Sequence, residues 1–379
     1  MKWRGWCCAV LFGGIVEALV GCSDTLPVSP LKPFSSTKEL RIVWSTSIGK
    51  KTQEVIAPTL AYDNLYLVGG NGDLVSLDPV TGQENWHITS PFIYATGVGF
   101  GDDQLFIGDK QGNLLAYSKS GILRWQVHLS DELMTPPAAG DSTTVVARTT
   151  DGHVYGLDGS DGHQLWMVTR PMPSLVLHGD SGIRVSRGAA FVAYPGGRLM
   201  ALNLADGRVG WETLITIPLG ATELERVNDV MGYPVLGYSD ICVAAFQNKV
   251  TCLDAAKGET LWSHDMEAAG PVVADDGRLF VTDEKGTLVA LNQLTGSVVW
   301  KSEDLDGRYP SPPAVTRNFV VVGDEEGYVH YFNREDGHEV ARLQTKAVSL
   351  VKAPVPVGED QVVVINEQGK VFSVAPVNN

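Results

Sequence analysis

The chain has 379 residues, 44% of them hydrophobic, which is enough apolar material for a large core. It carries 44 Asp and Glu against 29 Lys and Arg, a formal charge of -15. That balance argues against nucleic acid as a partner and against adhesion to an anionic membrane through the protein's own side chains, because both require clustered cations.

Residues 1–21 read as an export signal. Lys2 and Arg4 precede an apolar run from Trp6 to Val20, which is too short for a comfortable membrane span and contains Glu17. The run ends in Leu19-Val20-Gly21-Cys22, which resembles the lipobox of bacterial lipoproteins. The resemblance implies cleavage before Cys22, lipidation of its thiol and amine, and export across the inner membrane. Ser23 stands where an aspartate would signal inner-membrane retention, so the outer membrane is the implied destination. The alternative is an ordinary secretory signal with a chance cysteine. Pro27, Pro30 and Pro33 then make residues 22–38 an extended tether, and no second hydrophobic segment of spanning length follows.

From residue 39 to 379 the chain repeats. The unit Gly-x-Leu-x-x-Leu-Asp-x-x-Thr-Gly-x-x-x-Trp runs from Gly72 to Trp86 and again from Gly286 to Trp300, with close variants ending at Trp125, Trp166, Trp211 and Trp262. A further copy, Gly327 to Ala341, keeps the Asp336-Gly337 turn and has lost the tryptophan. A period of about 40 to 45 residues built from short strands is the signature of propeller blades. In the first copy the predicted strands are Ala57 to Tyr62, Leu65 to Gly69, Leu74 to Leu77 and Asn85 to Ile88, separated by turns at Asp63-Asn64, Asn71-Gly72 and Thr81-Gly82. Trp44 has no repeat unit before it, and Gly369 to Val374 has no tryptophan strand after it. The two ends complete one blade, so the expectation is an all-β, eight-bladed propeller of four-stranded antiparallel blades, closed by its N- and C-terminal strands.

Two connections between blades are longer than the rest. From the tryptophan to the residue opening the next blade's first strand, most span 9 to 14 residues, but Trp166 to Ile183 is 17 and Trp211 to Pro234 is 23. They lie on neighbouring blades and on one rim, where a scaffold gains a binding surface. Leu175 and Leu177 fall outside the blade pattern and are candidate apolar anchors for a partner; folding back over the blade edge is the other reading.

Once the signal and its Cys7-Cys8 pair are removed, Cys22, Cys242 and Cys252 remain. Cys242 and Cys252 flank a tight turn near residue 247, which places them on neighbouring strands in an oxidising compartment. A disulfide between them and a pair of buried free thiols are both open readings.

Lipobox, tether, tryptophan repeats and the two long connectors together resemble the BamB lipoprotein propellers of the outer-membrane β-barrel assembly machinery. The resemblance covers the whole chain. It implies a non-catalytic scaffold, without cofactor or metal, that docks on the periplasmic POTRA domains of BamA alongside the other subunits and helps deliver unfolded barrel precursors. Ser174, Leu175 and Leu177 match the family's first contact segment, with His178 where an arginine is usual. Asp229 and Val230 match the second, with Met231 in place of an aspartate and Arg226 just upstream. The implied partner-binding set is Leu175, Leu177, His178, Arg226 and Asp229, with the membrane reached only through lipid on Cys22.

The rival readings are a pyrroloquinoline quinone-dependent dehydrogenase, whose blades share the tryptophan motif, and a generic periplasmic ligand-binding propeller. The quinone family needs an adjacent cysteine pair, and the one here leaves with the signal. Metalloprotease, hydrolase-elbow and P-loop motifs are all missing from the sequence. Asp324-Glu325-Glu326-Gly327 and Asp283-Glu284-Lys285-Gly286 look like metal loops, but they fall where every blade turns and are expected to be solvated hairpins. His153 and His163 are expected at the surface.

Overall fold

A computed structural model describes residues 28–49, 55–140, 143–173, 181–217, 229–346, 349–350 and 352–377. The described residues form eight antiparallel sheets in chain order. The first contains Thr59–Ala61, Asn64–Val68, Asp73–Leu77 and Glu84–Thr89. The eighth is built from Val355–Pro356, Val362–Ile365 and Lys370–Pro376, and its outer strand is Leu40–Ser47 from the other end of the chain. Seven sheets have four strands, whereas the third has only Thr144–Arg148, His153–Asp158 and Gln164–Thr169, with a single Ala138 to Val146 bridge in place of its innermost strand.

The cores lie between blades, not within them. Phe106, Ala116 and Trp125 of the second blade pack with Val145, Ala147 and Tyr155 of the third, and each following pair of blades repeats the arrangement. Leu65 and Val75 of the first blade pack with Val363 and Val371 of the eighth, so the ring is closed. Second strands such as Val320, Val321 and Val322 are fully buried because each lies in the middle of a sheet and is covered on both faces. Outer strands alternate between half-buried and exposed residues, as Glu84–Thr89 does.

The tryptophan and the glycine of the repeat meet across blades. Each indole N–H donates to a backbone carbonyl of the following blade: Trp44 to Pro79, Trp86 to Lys119, Trp125 to Gly159, Trp166 to Leu204, Trp211 to Ala255, Trp262 to Gln293 and Trp300 to Arg334, at 2.7 to 3.2 Å. Each ring also lies on that blade's turn glycine. A Cβ on Gly82 would stand 2.6 Å from Trp44, and one on Gly337 would stand 2.3 Å from Trp300. These glycines hold φ near +70°, so both geometry and space select glycine. The first turn of several blades is different. In the first two blades it is carried by non-glycine pairs at positive φ, Tyr62-Asp63 and Asp102-Asp103, the former one residue earlier than the Asp63-Asn64 turn expected from sequence; in the fourth and sixth it pairs Arg187 with Gly188 and Asp276 with Gly277.

Because strands alternate in direction, the hairpins between second and third strands share a rim with the connections to the next blade. This connector rim carries both long connectors.

Candidate partner-docking rim

The two long connectors return to the propeller side by side. Ser181 bridges Gly232 in parallel, Gly182 N donates to the Gly232 carbonyl at 2.7 Å, and Ser181 Oγ donates to the Val230 carbonyl at 2.8 Å. Their described roots are therefore one bonded unit.

A buried arginine lies beneath them. Arg148 ends the second strand of the third blade, Thr144–Arg148, is 0% exposed, and donates through Nη2 to the Ser181 carbonyl at 3.1 Å and through Nη1 to the Ala193 carbonyl. Its guanidinium lies over the Tyr194 ring, 5.4 Å from the centroid, and Tyr194 Oη donates to the Gly152 carbonyl at 2.5 Å. Burial lowers the Arg148 pKa to about 10, opposed by Tyr194 and Asp229, and burial raises Tyr194 to about 12. The guanidinium thus stays charged at neutral pH and, from the third blade, ties down two carbonyls of the fourth across the seam.

Asp229 is buried at 1% exposure. Its Oδ1 accepts the Gly196 N–H at 2.7 Å and its carbonyl accepts the Phe246 N–H at 3.0 Å. Its carboxylate therefore ties the base of the longer connector to the fourth blade's hairpin. This is a positional role that the sequence did not disclose.

Beside these roots a cleft of roughly 440 Å³ opens between Arg170, Pro171, Met172 and Pro173 of the shorter connector and Tyr194, Pro195, Arg198, Met200 and Glu212 of the fourth blade. Glu212 binds Arg198 Nη1 at 2.9 Å and Arg170 Nε at 3.3 Å, so the apolar floor of Met and Pro side chains has a charged lip. A cleft of roughly 480 Å³ on the opposite rim, by Arg187, Trp211 and the 93% exposed Tyr238, lies away from both connectors.

Of the residues singled out from sequence, Cys22, Leu175, Leu177, His178 and Arg226 lie outside the described residues. Cys242 and Cys252 are direct cross-strand partners with Cα atoms 4.0 Å apart, and the structure joins their sulfurs. Cys252 is also the small residue facing Trp262.

The two acidic loops serve the fold. Asp283 Oδ1 accepts from the Lys285 and Thr287 amides at 3.0 and 2.7 Å. Asp324 corrects the expectation of a solvated hairpin: it is fully buried, its Oδ2 binding Arg308 Nη2 at 2.6 Å and His330 Nε2 at 3.1 Å. His330 is also fully buried, with Nδ1 2.7 Å from Glu339 Oε1. Burial works against its charged form, but the carboxylates of Asp324 and Glu339 outweigh that and raise its pKa. Nothing in the spacing of the histidines marked this one. Only its place in the third strand, where a blade is buried on both faces, could have done so. His153 is half-buried and His163 is exposed, each beside an aspartate two residues away.

The sequence matches the family described as Outer membrane protein assembly factor BamB over residues 92–267 and 248–378. It is 31% identical over 366 residues to the outer membrane protein assembly factor BamB of Burkholderia pseudomallei (strain K96243), covering 95% of this chain and 96% of that one. It is 33% identical over 335 residues to the BamB of Nitrosomonas eutropha (strain DSM 101675 / C91 / Nm57), covering 87% and 78%. The fold is similar to the crystal structure of BamB from Moraxella catarrhalis, with a TM-score of 0.78 at 20% identity over 89% of this chain and 100% of that one. These relatives are named as assembly factors, which displaces the dehydrogenase and generic ligand-binding readings. The chain belongs to the BamB family of outer membrane protein assembly factors.

Proposed function

We propose that the protein is a lipid-anchored, non-catalytic scaffold that faces the periplasm at the outer membrane and docks on the POTRA domains of BamA through the connector rim. The observation that carries the reading is the bonded pair of connector roots at Ser181 and Gly232, which brings the bases of two overlong connectors from neighbouring blades together. Leu175 and Leu177 supply the apolar anchor, with His178 and Arg226 as flanking polar contacts. Asp229 acts from beneath, since its carboxylate is bonded to Gly196. Arg148 fixes the Ser181 root of the shorter connector, so this part needs no ordering on binding and the entropic cost of docking is lowered. The Met- and Pro-floored cleft adjoins the described end of the shorter connector, Arg170 to Pro173. Through this contact the propeller takes its place with the other subunits and assists insertion of barrel precursors.

Lipid on Cys22 provides the membrane attachment. The test is co-purification from detergent-solubilised envelopes. The tagged protein should bring BamA with it, and a Leu175→Asp, Leu177→Asp pair should remove BamA without lowering the yield of propeller. Unchanged BamA in that eluate would assign the contact elsewhere.

A further inference from the structure

Among the eight outer strands, one is covered. At the two positions preceding the tryptophan site the residues are exposed in seven blades, as at Ile42 and Val43, Glu84 and Asn85, or Val298 and Val299. In the seventh blade the corresponding Glu339 and Val340 are only 5% and 4% exposed. The N-terminal segment lies over them. Thr37 N and Lys38 N donate to the Val340 carbonyl at 3.0 and 3.3 Å. Arg342 Nη2 donates to the Lys32 carbonyl at 3.0 Å and its guanidinium lies 4.5 Å from the centroid of the half-buried Phe34 ring. Further along, Ser29 N donates to the Gly307 carbonyl at 2.9 Å, and the buried Arg308 donates to the Ser29 carbonyl. Arg308 is itself held by Asp324 and Glu326.

These contacts have a direction. Leu40 begins the outer strand of the closing blade at the rim opposite the connectors, beside Pro376. Gly307 and Arg308 lie in the connection between the sixth and seventh blades, on the connector rim. Residues 39 back to 29 therefore cross the whole width of the blade edge.

We propose that residues 28–39 are a docked strap, which seals the seventh blade's edge against strand addition and delivers the upstream end of the chain to the connector rim. Only six peptide units separate Val28 from Cys22, a reach of at most about 20 Å. The rim that carries the partner-docking connectors is then the rim held toward the membrane. This second half rests on the lipidation of Cys22 proposed above, whereas the strap does not.

Two measurements on the mature, lipidated protein test the proposal. Hydrogen exchange should find the Thr37 and Lys38 amides at least tenfold slower than unstructured peptide, and a Phe34→Ala, Arg342→Ala pair should return them to the unstructured rate while Val243 in the fifth blade stays protected. Unprotected amides in the parent protein would overturn the strap. On vesicles of phosphatidylethanolamine and phosphatidylglycerol carrying an acceptor lipid, a donor on Glu325→Cys, at the connector rim, should transfer at least twice as efficiently as one on Asp336→Cys, at the opposite rim. Equal transfer would overturn the orientation. Flotation with the vesicles scores the anchor separately: protein that does not float refutes lipidation of Cys22 and with it the membrane half, and the exchange data still decide the strap.

Discussion

Tyr331 stands directly across from Ala341 in the seventh blade, inverting the pair found in the other seven. There the tryptophan faces a small residue: Ser76, Ala116, Gly156, Ala201, Cys252, Ala290 and Ser373 sit opposite Trp86, Trp125, Trp166, Trp211, Trp262, Trp300 and Trp44. The reason lies in the next blade. A tryptophan needs a turn glycine to rest on, and the closing blade has the two chain ends there instead of a turn. Tyr331 takes over the contact, its Oη lying 3.0 Å from the Val374 carbonyl and 3.2 Å from the Asp360 carbonyl, so that its one proton is shared between them. Tyr331→Phe should cost about 1–3 kcal/mol, because the buried hydrogen bond of this hydroxyl is lost. Ala341→Trp alone should destabilise by overpacking, and combined with Tyr331→Ala it should cost clearly less than the sum of the two. Denaturation of the four proteins measures the coupling, and simple additivity would contradict the swap.

Turn glycines should differ sharply by location. Gly337 and Gly277 have similar φ, +74° and +72°, but a Cβ on Gly337 would meet the Trp300 ring at 2.3 Å, whereas one on Gly277 meets nothing within 4 Å. Gly277→Ala should cost about 1–2 kcal/mol of backbone strain. Gly337→Ala should cost at least about 2 kcal/mol more, because the indole must move. Equal losses in urea unfolding would mean that the ring and the glycine are not in contact.

The buried His330 should make stability pH-dependent. Its folded pKa is raised above the ordinary histidine value, with Asp324 and Glu339 on its two nitrogens, Arg308 on Asp324 and Arg342 on Glu339. Its contribution is full below about pH 6.5 and declines as pH rises through the folded pKa. Asp324 is held below the ordinary carboxylate range: burial alone would raise it, but the His330 and Arg308 contacts prevail, so its contribution fades only in acid. The stability gap between the parent protein and His330→Gln should therefore shrink from pH 6 to pH 9, and a constant gap would exclude a charged His330.

Cys242 and Cys252 should titrate as a disulfide. We expect no free thiol from this pair in denaturant without reductant, and a loss of about 2–3 kcal/mol on changing both to Ser. Two reactive thiols would restore the reading as buried free cysteines.

The ring was legible because its signal is repeated. The count of eight came from Trp44 and Gly369 to Val374 as two halves of one blade, and their strands do pair. What the repeat could not convey was its partner across the seam. The four-residue spacing from Gly82 to Trp86 suggests a contact within one blade, yet the ring on Gly82 is Trp44. The weak first strand of the third blade was equally hidden, as was the strap, whose proline spacing reads as a free tether until Arg308 and Arg342 are seen to hold it. At the proposed docking rim, connector length singles out two neighbouring blades, and the described roots of their connectors are bonded to each other. Arg148 was invisible there because its role depends on carbonyls 33 and 45 residues away.

The central claim is that the third-to-fourth and fourth-to-fifth connectors form the docking platform. Calorimetric titration of the purified propeller with isolated BamA POTRA domains tests it most directly. Leu175→Asp with Leu177→Asp should weaken binding at least tenfold with the melting temperature unchanged, and Tyr238→Asp on the opposite rim should leave affinity intact. Undiminished binding by the leucine pair, or loss of binding through Tyr238, would contradict the account.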